Sequence, residues 1–191
     1  MEQEIEIEFK NLLTEDEFNK ILHTFSFPTE PFRQINHYFE TNDFALKGQH
    51  AALRIREKDA KNILTLKEPH PDGLLETHDA LDNQEKNAWL NNKPIAKHNV
   101  KRQLDALHIN LVDLKYWGTL TTDRREINYK DCTVVLDYST YGNKNDYELE
   151  LEAEDRIIGE NIFEEILRIA SIQKRETPNK IKRFFNELYN H

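Results

Sequence analysis

The sequence predicts an α+β fold in which about eight antiparallel strands, enough to close a small barrel, are accompanied by amphipathic helices. Three observations carry that reading. Apolar/polar alternation recurs many times along the chain, marking about eight candidate strands. Stretches with helical spacing lie between and after them, without the regular strand–helix–strand order of a parallel sheet. The few glycines and prolines (Gly 5, Pro 6) sit where turns are expected, and no Gly/Ser linker or repeat divides the 191 residues, so residues 1–191 read as one domain.

In chain order, Gln3–Lys10 places Ile5, Ile7 and Phe9 on one face and Glu4, Glu6, Glu8 and Lys10 on the other. Thr14 and Glu17 form a capping box ahead of Phe18, Ile21, Leu22 and Phe25, at the i, i+3, i+4, i+7 spacing of a buried helix face. His37–Thr41 is extended and aromatic-rich, and Leu53–Arg56 and Leu64–Lys67 repeat the alternation. After the turn signal Pro71-Asp72-Gly73 comes a weaker strand, Leu74–Leu81. Helices are expected over Asn83–Leu90 and Val100–Leu107. Gly118–Tyr129 and Thr133–Tyr138 read as a hairpin around Lys130-Asp131, and Tyr147–Glu152 follows the turn at Tyr141–Asn145. Ile162, Phe163, Ile166, Leu167 and Ala170 mark an amphipathic helix. Thr177-Pro178 reads as a cap and first-turn proline before a last helix with Ile181, Phe184, Phe185 and Leu188.

Charge narrows the function. Lys+Arg 26 against Asp+Glu 35 leaves a formal net charge of -9, which disfavours nucleic acid and anionic membranes as partners. A single cysteine, Cys132, excludes a disulfide framework and a cysteine-rich zinc site. The acidic start Met1-Glu2-Gln3-Glu4 lacks the apolar core of a secretory signal, and no aliphatic run is long enough to span a bilayer, so a cytoplasmic protein is expected. There is no G-x-x-x-x-G-K-[ST] phosphate loop, and the histidines show no zinc-binding spacing.

A polar strand face is ordinarily a mixed, solvated one. Here the polar faces carry like charges in pairs: Glu6/Glu8, Glu148/Glu150 and Arg54/Arg56, with Lys67 and Arg124 nearby. Residues two apart on a strand lie about 7 Å from each other, and at an effective dielectric of ~20 their repulsion is roughly 2 kcal/mol. So many such pairs point to a compensating ligand. Carboxylate pairs suit a hard divalent cation, and arginines and lysines suit phosphate oxygens, which together make a metal–polyphosphate site. Pattern alone leaves the polarity of the barrel open. The charges face outward if the barrel core is apolar, and inward, lining a tunnel, if the helices cover the strands' apolar faces.

Glu6-x-Glu8-x-Lys10, Leu53-Arg54-Ile55-Arg56, Thr65-Leu66-Lys67, Arg124, Glu148-Leu149-Glu150 and Lys180 together resemble the CYTH superfamily, the triphosphate tunnel metalloenzymes, and among them the stand-alone bacterial members. The resemblance implies an eight-stranded antiparallel barrel with a charged lumen, wrapped by helices, that hydrolyses a triphosphate compound with Mg²⁺ or Mn²⁺. It implies metal binding by Glu6, Glu8, Glu148 and Glu150. It implies triphosphate binding by Lys10, Arg54, Arg56, Lys67, Arg124 and Lys180, with Lys10, Arg56 and Lys67 as the catalytic members. Arg124 is preferred to Arg125 because Arg125 shares parity with Ile127 on the apolar side. Two departures stand out. No basic residue lies in register near Ile35, where Arg33 or His37 is the nearest substitute, and Val135 occupies a position that is acidic in some members, leaving Asp137 on the same face as the fifth metal candidate. Glu4 and Glu152 extend the acidic faces. The same tunnel accommodates a class IV-type adenylyl cyclase or a non-catalytic polyphosphate- or nucleotide-binding module, which are the alternatives.

Overall fold

The structure is a computed structural model that describes residues 3–189. Met1 and Glu2 of the acidic start, and the last two residues of the chain, Asn190 and His191, lie outside the described residues. The elements are β1 (Gln3–Leu13), α1 (Glu15–Thr24), β2 (Phe32–Thr41), the one-turn α2 (Ala45–Gly48), β3 (Ala52–Lys58), β4 (Lys61–His70), β5 (Gly73–Leu81), α3 (Asn83–Leu90), α4 (His98–Ala106), a 3₁₀ turn at Leu111–Asp113, β6 (Leu114–Tyr129), β7 (Cys132–Tyr141), β8 (Lys144–Ala153), α5 (Arg156–Ala170) and α6 (Lys180–Tyr189). The strands follow the order β1-β5-β4-β3-β2-β6-β7-β8 of a closed antiparallel barrel. By contacts the chain falls into two compact units, one holding Gln34–Leu120 with the start of β1, the other Glu6–Arg33 with the residues from Thr121 on.

In the first unit, β3, β4 and β5 pair in register: Arg54 lies opposite Thr65 and Thr65 opposite His78, while Lys67 lies opposite Glu76. Because side chains alternate, these residues share one face. Leu53, Ile55, Leu64 and Leu66 share the other, where Trp89 of α3 and Val100 and Leu104 of α4 bury them. Two helix starts are built differently. Asp82 and Glu85 form a capping box for α3. α4 is met by a carboxylate from β5, Asp79, which accepts from the Val100 N–H at 2.8 Å and the Asn99 side-chain amide at 2.9 Å. α2 begins from a left-handed Phe44 (φ 62°) and is held by the buried Glu40 carboxylate, which accepts from the N–H groups of Leu46 (3.0 Å) and Lys47 (2.8 Å).

In the second unit, β7 and β8 pair Asp137 with Glu148, and Arg124 of β6 lies opposite Asp137. Val134, Leu136, Leu149 and Leu151 face away from these charges and pack under Phe18 and Ile21 of α1 and Ile162, Phe163, Ile166 and Leu167 of α5. The capping box at Thr14 forms as expected. Lys130 and Asp131 take positive φ (49° and 63°) in the expected hairpin, and Gly142 (φ 54°) turns β7 into β8. In each unit, then, helices cover the apolar strand face and leave the charged face turned to the barrel interior, which resolves the polarity that pattern alone left open.

Gly159 shows how tightly α5 seats. A Cβ there would stand 2.6 Å from Ala153 Cβ and 2.7 Å from Phe9 Cε2. Gly159→Ala is therefore expected to cost about 1–3 kcal/mol of stability despite its better helix propensity, because the overpacking outweighs that gain. A urea midpoint equal to or above that of the unsubstituted protein would refute this account of the packing.

The last helix begins at Lys180, so Pro178 does not occupy its first turn. Thr177 is engaged elsewhere: its hydroxyl accepts from the Leu12 N–H at 2.9 Å. The Arg175 N–H donates to Asn11 Oδ1 at 2.6 Å, and the Arg175 guanidinium pairs with Glu17 at 2.7 Å. This segment is stitched along β1 and α1 instead of capping α6.

Candidate functional site

In the second unit three carboxylates gather around one ammonium. Lys180 Nζ lies 2.6 Å from Asp137, 3.0 Å from Glu148, and in direct contact with Glu150. Asp137 also receives both Nε and Nη2 of Arg124, each at 2.7 Å, a bidentate fork, and Arg124 Nη2 reaches Glu150 at 2.6 Å. Arg183, one helical turn past Lys180, donates to Glu148 at 2.5 Å and to Asp146 at 2.9 Å. Lys10 pairs with Glu8 at 2.9 Å. The strands supply these acids at two-residue spacing, and α6 brings Lys180 and Arg183 to them from the stitched segment before it.

The charges set one another's protonation. Burial pushes Glu148 above the ordinary carboxylate range, more than Lys180 and Arg183 draw it down. Burial acts on Glu150 too, but Lys180, Arg124 and Lys10 outweigh it and hold that carboxyl well below the range. Burial likewise raises Glu152. Lys180 and Arg124 are disfavoured as cations by burial, yet the surrounding carboxylates prevail and keep both firmly charged. Lys10 follows the same logic, with Glu8 and Glu150 overcoming its burial. One carboxylate of the Glu148/Glu150 pair is thus fixed as an anion while its neighbour is the readier to take a proton.

In the first unit the buried Glu76 carboxylate contacts Lys67 Nζ and lies 4.0 Å from Arg54 Nη2 and 3.4 Å from His78 Nε2. His78 Nε2 also lies 3.3 Å from Glu4, and its Nδ1 is hydrogen-bonded to Thr65 Oγ1 at 3.0 Å. Glu4, Glu76 and His78 each offer one ligand atom within 4.8 Å of the others, so the described residues include an acidic cluster able to hold a metal ion. Arg56, on the same face, donates to Asn36 Oδ1 at 3.3 Å.

Of the expected residues, Glu8, Lys10, Arg124, Asp137, Glu148, Glu150 and Lys180 come together in the second unit. Arg54 and Lys67 come together in the first, with Arg56 on the same face, and Glu6 shares the strand parity of Glu8. Arg124 does point to the charged face, and Arg125 points away, donating to the carbonyls of Pro28 and Thr29. Neither substitute for a base near Ile35 qualifies. His37 lies opposite Ile55, on the helix-covered face, with Glu57 at 3.7 Å, and Arg33 is an exposed side chain paired with Asp123 at 2.8 Å. The inward position opposite Arg56 belongs to Asn36. Arg183, Glu76 and His78 are absent from the expected set. For Arg183 a signal existed, the Lys180-x-x-Arg183 spacing on one helix face.

The donor set fits a divalent cation. Asp137, Glu148 and Glu150 present only hard oxygen ligands, and their shared grip on the Lys180 ammonium marks a place where positive charge is strongly favoured. No helix among the described residues is long and apolar enough to cross a membrane.

The model of the CYTH domain matches residues 4–185. A Bacillus subtilis protein bearing the name "Putative triphosphatase YjbK" is 48% identical over 188 residues, which is 98% of this chain and 97% of that protein. The crystal structure of a "putative adenylate cyclase" from Bacillus halodurans superposes with a TM-score of 0.93 at 43% identity, covering 97% of this chain and 100% of the other. HpAC1 from Hippeastrum, described as having a dominant triphosphatase activity, has a TM-score of 0.80 at 22% identity over 96% of both chains and shares the fold.

Proposed function

Because the chain belongs to the CYTH domain family, we propose that it hydrolyses the phosphoanhydride bond of a triphosphate compound with the help of a divalent cation. The observation that carries this reading is the knot of Asp137, Glu148 and Glu150 around Lys180 and Arg124. Buried acids and bases in that density are costly for a fold to keep unless they serve a ligand of mixed charge.

The residues that would hold the cation, Mg²⁺ or Mn²⁺, are Glu6, Glu8, Glu148, Glu150 and Asp137. Bound there, it would neutralise and polarise phosphoryl oxygens. Lys10, Arg54, Arg56, Lys67, Arg124 and Lys180 bind the triphosphate, and Lys10, Arg56 and Lys67 act at the reacting phosphoryl group. Their contribution is positioning and charge stabilisation during in-line attack by water, since phosphoryl transfer leaves little covalent chemistry for side chains to perform. One domain over residues 1–191 performs the reaction, in the cytoplasm, where the free thiol of Cys132 remains reduced.

Phosphate release from inorganic tripolyphosphate with Mg²⁺ tests the assignment. Arg56→Ala is expected to lose roughly 2–4 kcal/mol of transition-state stabilisation, by analogy with a lost oxyanion donor. Glu148→Ala is expected to lose activity to a similar extent. Unchanged rates for both would overturn the site. A second reading rests on the cyclase name of the Bacillus halodurans relative. With ATP as substrate, ADP and phosphate support the hydrolase, and cyclic AMP and pyrophosphate support the cyclase.

A further inference from the structure

We propose that Glu76 is a positioning residue, a buried carboxylate that fixes the direction of two phosphate-binding cations, Lys67 and Arg54. The inference rests on the triphosphate reading above and adds a member that the resemblance did not supply. Lys67 and Glu76 are direct cross-strand partners of β4 and β5, so the carboxylate stands beside the ammonium whatever else occupies the site. It contacts Lys67 and lies 4.0 Å from Arg54 Nη2, and the three side chains are only 17%, 7% and 13% exposed in the order Lys67, Glu76, Arg54.

Glu76 is itself held. Its other oxygen lies 3.4 Å from His78 Nε2. The imidazole is oriented from behind by Thr65 Oγ1 at 3.0 Å, and Thr65 is the cross-strand partner of both Arg54 and His78. Arg54, Thr65, His78, Glu76 and Lys67 are therefore linked, by side-chain contacts and cross-strand pairing, across three adjacent strands with Glu76 at the junction. A lysine on four methylenes has substantial rotamer entropy to lose. A cation ordered before the substrate arrives has already lost that freedom, which is the advantage of preorganisation.

Two roles for such a carboxylate make opposite predictions. A carboxylate that merely competes with phosphate for Lys67 is a brake, and its neutralisation should speed the enzyme. One that aims Lys67 and Arg54 costs some ground-state affinity through its negative charge and returns it in the transition state. Glu76→Gln keeps the shape and removes the charge. We expect its kcat on tripolyphosphate to fall about tenfold or more, with KM unchanged or lower. In a Lys67→Ala background the same substitution should cost markedly less, because half of what Glu76 aims is gone. Equal losses in both backgrounds, or a kcat/KM that rises, would overturn the proposal.

Glu76→Asp guards against a variant that fails to fold. It retains the charge but withdraws it by one methylene, so a lower kcat supports positioning and an unchanged kcat refutes it. Calorimetric titration with tripolyphosphate separates this inference from the reading beneath it. If Lys67→Ala and Arg54→Ala leave affinity untouched, the triphosphate reading fails. If they weaken binding while Glu76→Gln leaves kcat intact, only the role of Glu76 falls.

Discussion

Lys180→Ala is expected to destabilise the protein by about 3–5 kcal/mol at neutral pH, the cost of leaving buried charges without their partner. Asp137, Glu148 and Glu150 all contact that ammonium, and Asp137 and Glu148 are fully buried. Arg124 and Arg183 would remain, but each already serves another acid as well, Arg124 between Asp137 and Glu150, Arg183 between Glu148 and Asp146. The loss should depend on pH with a definite sign. In the intact protein the depressed pKa of Glu150 contributes stability above the ordinary carboxylate value of 4.5 that is lost only as pH falls through its much lower folded value. Glu148 behaves oppositely: its folded pKa is raised by burial, so its contribution is complete in acid and is lost as pH rises through that value. Removing Lys180 pushes both carboxyls upward. The variant should therefore lose stability steadily as pH climbs from the ordinary carboxylate value toward neutrality, whereas the intact protein changes less. Urea unfolding of both proteins across that interval measures the divergence. A gap that stays constant with pH would show that Lys180 does not hold Glu150 as an anion.

Much of this arrangement was legible because a strand writes its two faces into alternate residues. The pairs Glu148/Glu150 and Arg54/Arg56 fell on one face by parity, and the parity of Ile127 sufficed to choose Arg124 over Arg125. What escaped was hidden where a residue answers to something outside its own element. β5 looked weak as a strand because Thr77 and Asp79 occupy its helix-covered face, and Asp79 is there to cap α4 from a distance. That blurred alternation also concealed Glu76 and His78. The same long-range cap explains why α4 begins at His98, two residues before its apolar spacing announces it. The turn at Asp59 and Ala60, both at positive φ, contains no glycine, and α2, whose own N-cap Phe44 offers no side-chain cap, hangs on the Glu40 carboxylate and the Thr41 hydroxyl at the end of β2. His37 and Arg33 are the bases nearest Ile35 in the sequence, and it takes the register of β2 on β3, which sets Asn36 opposite Arg56, to place His37 on the other face.

Stripping divalent cations with a chelator is expected to lower tripolyphosphate hydrolysis by more than about a hundredfold, with recovery on adding Mg²⁺ or Mn²⁺. Two like charges about 4 Å apart repel by roughly 4 kcal/mol at an effective dielectric of 20, and the acids at Asp137, Glu148 and Glu150 stand together on one charged face. A polyanion approaching them adds to a negative charge that Lys180, Arg124 and Arg183 already spend themselves balancing. Further positive charge is needed before phosphate oxygens can approach, and a divalent ion on hard oxygen ligands supplies it in the most compact form. Glu150→Gln should then raise the Mg²⁺ concentration required for half-maximal activity, since one anionic ligand is removed while the hydrogen-bonding shape is kept. Calorimetric titration of Mg²⁺ into the two proteins reads the same shift without reference to turnover. If chelator-treated enzyme hydrolyses tripolyphosphate at its full rate, the acids serve to hold Lys180 and Arg124 in place, and the role given to the cation is wrong, while the basic residues keep theirs.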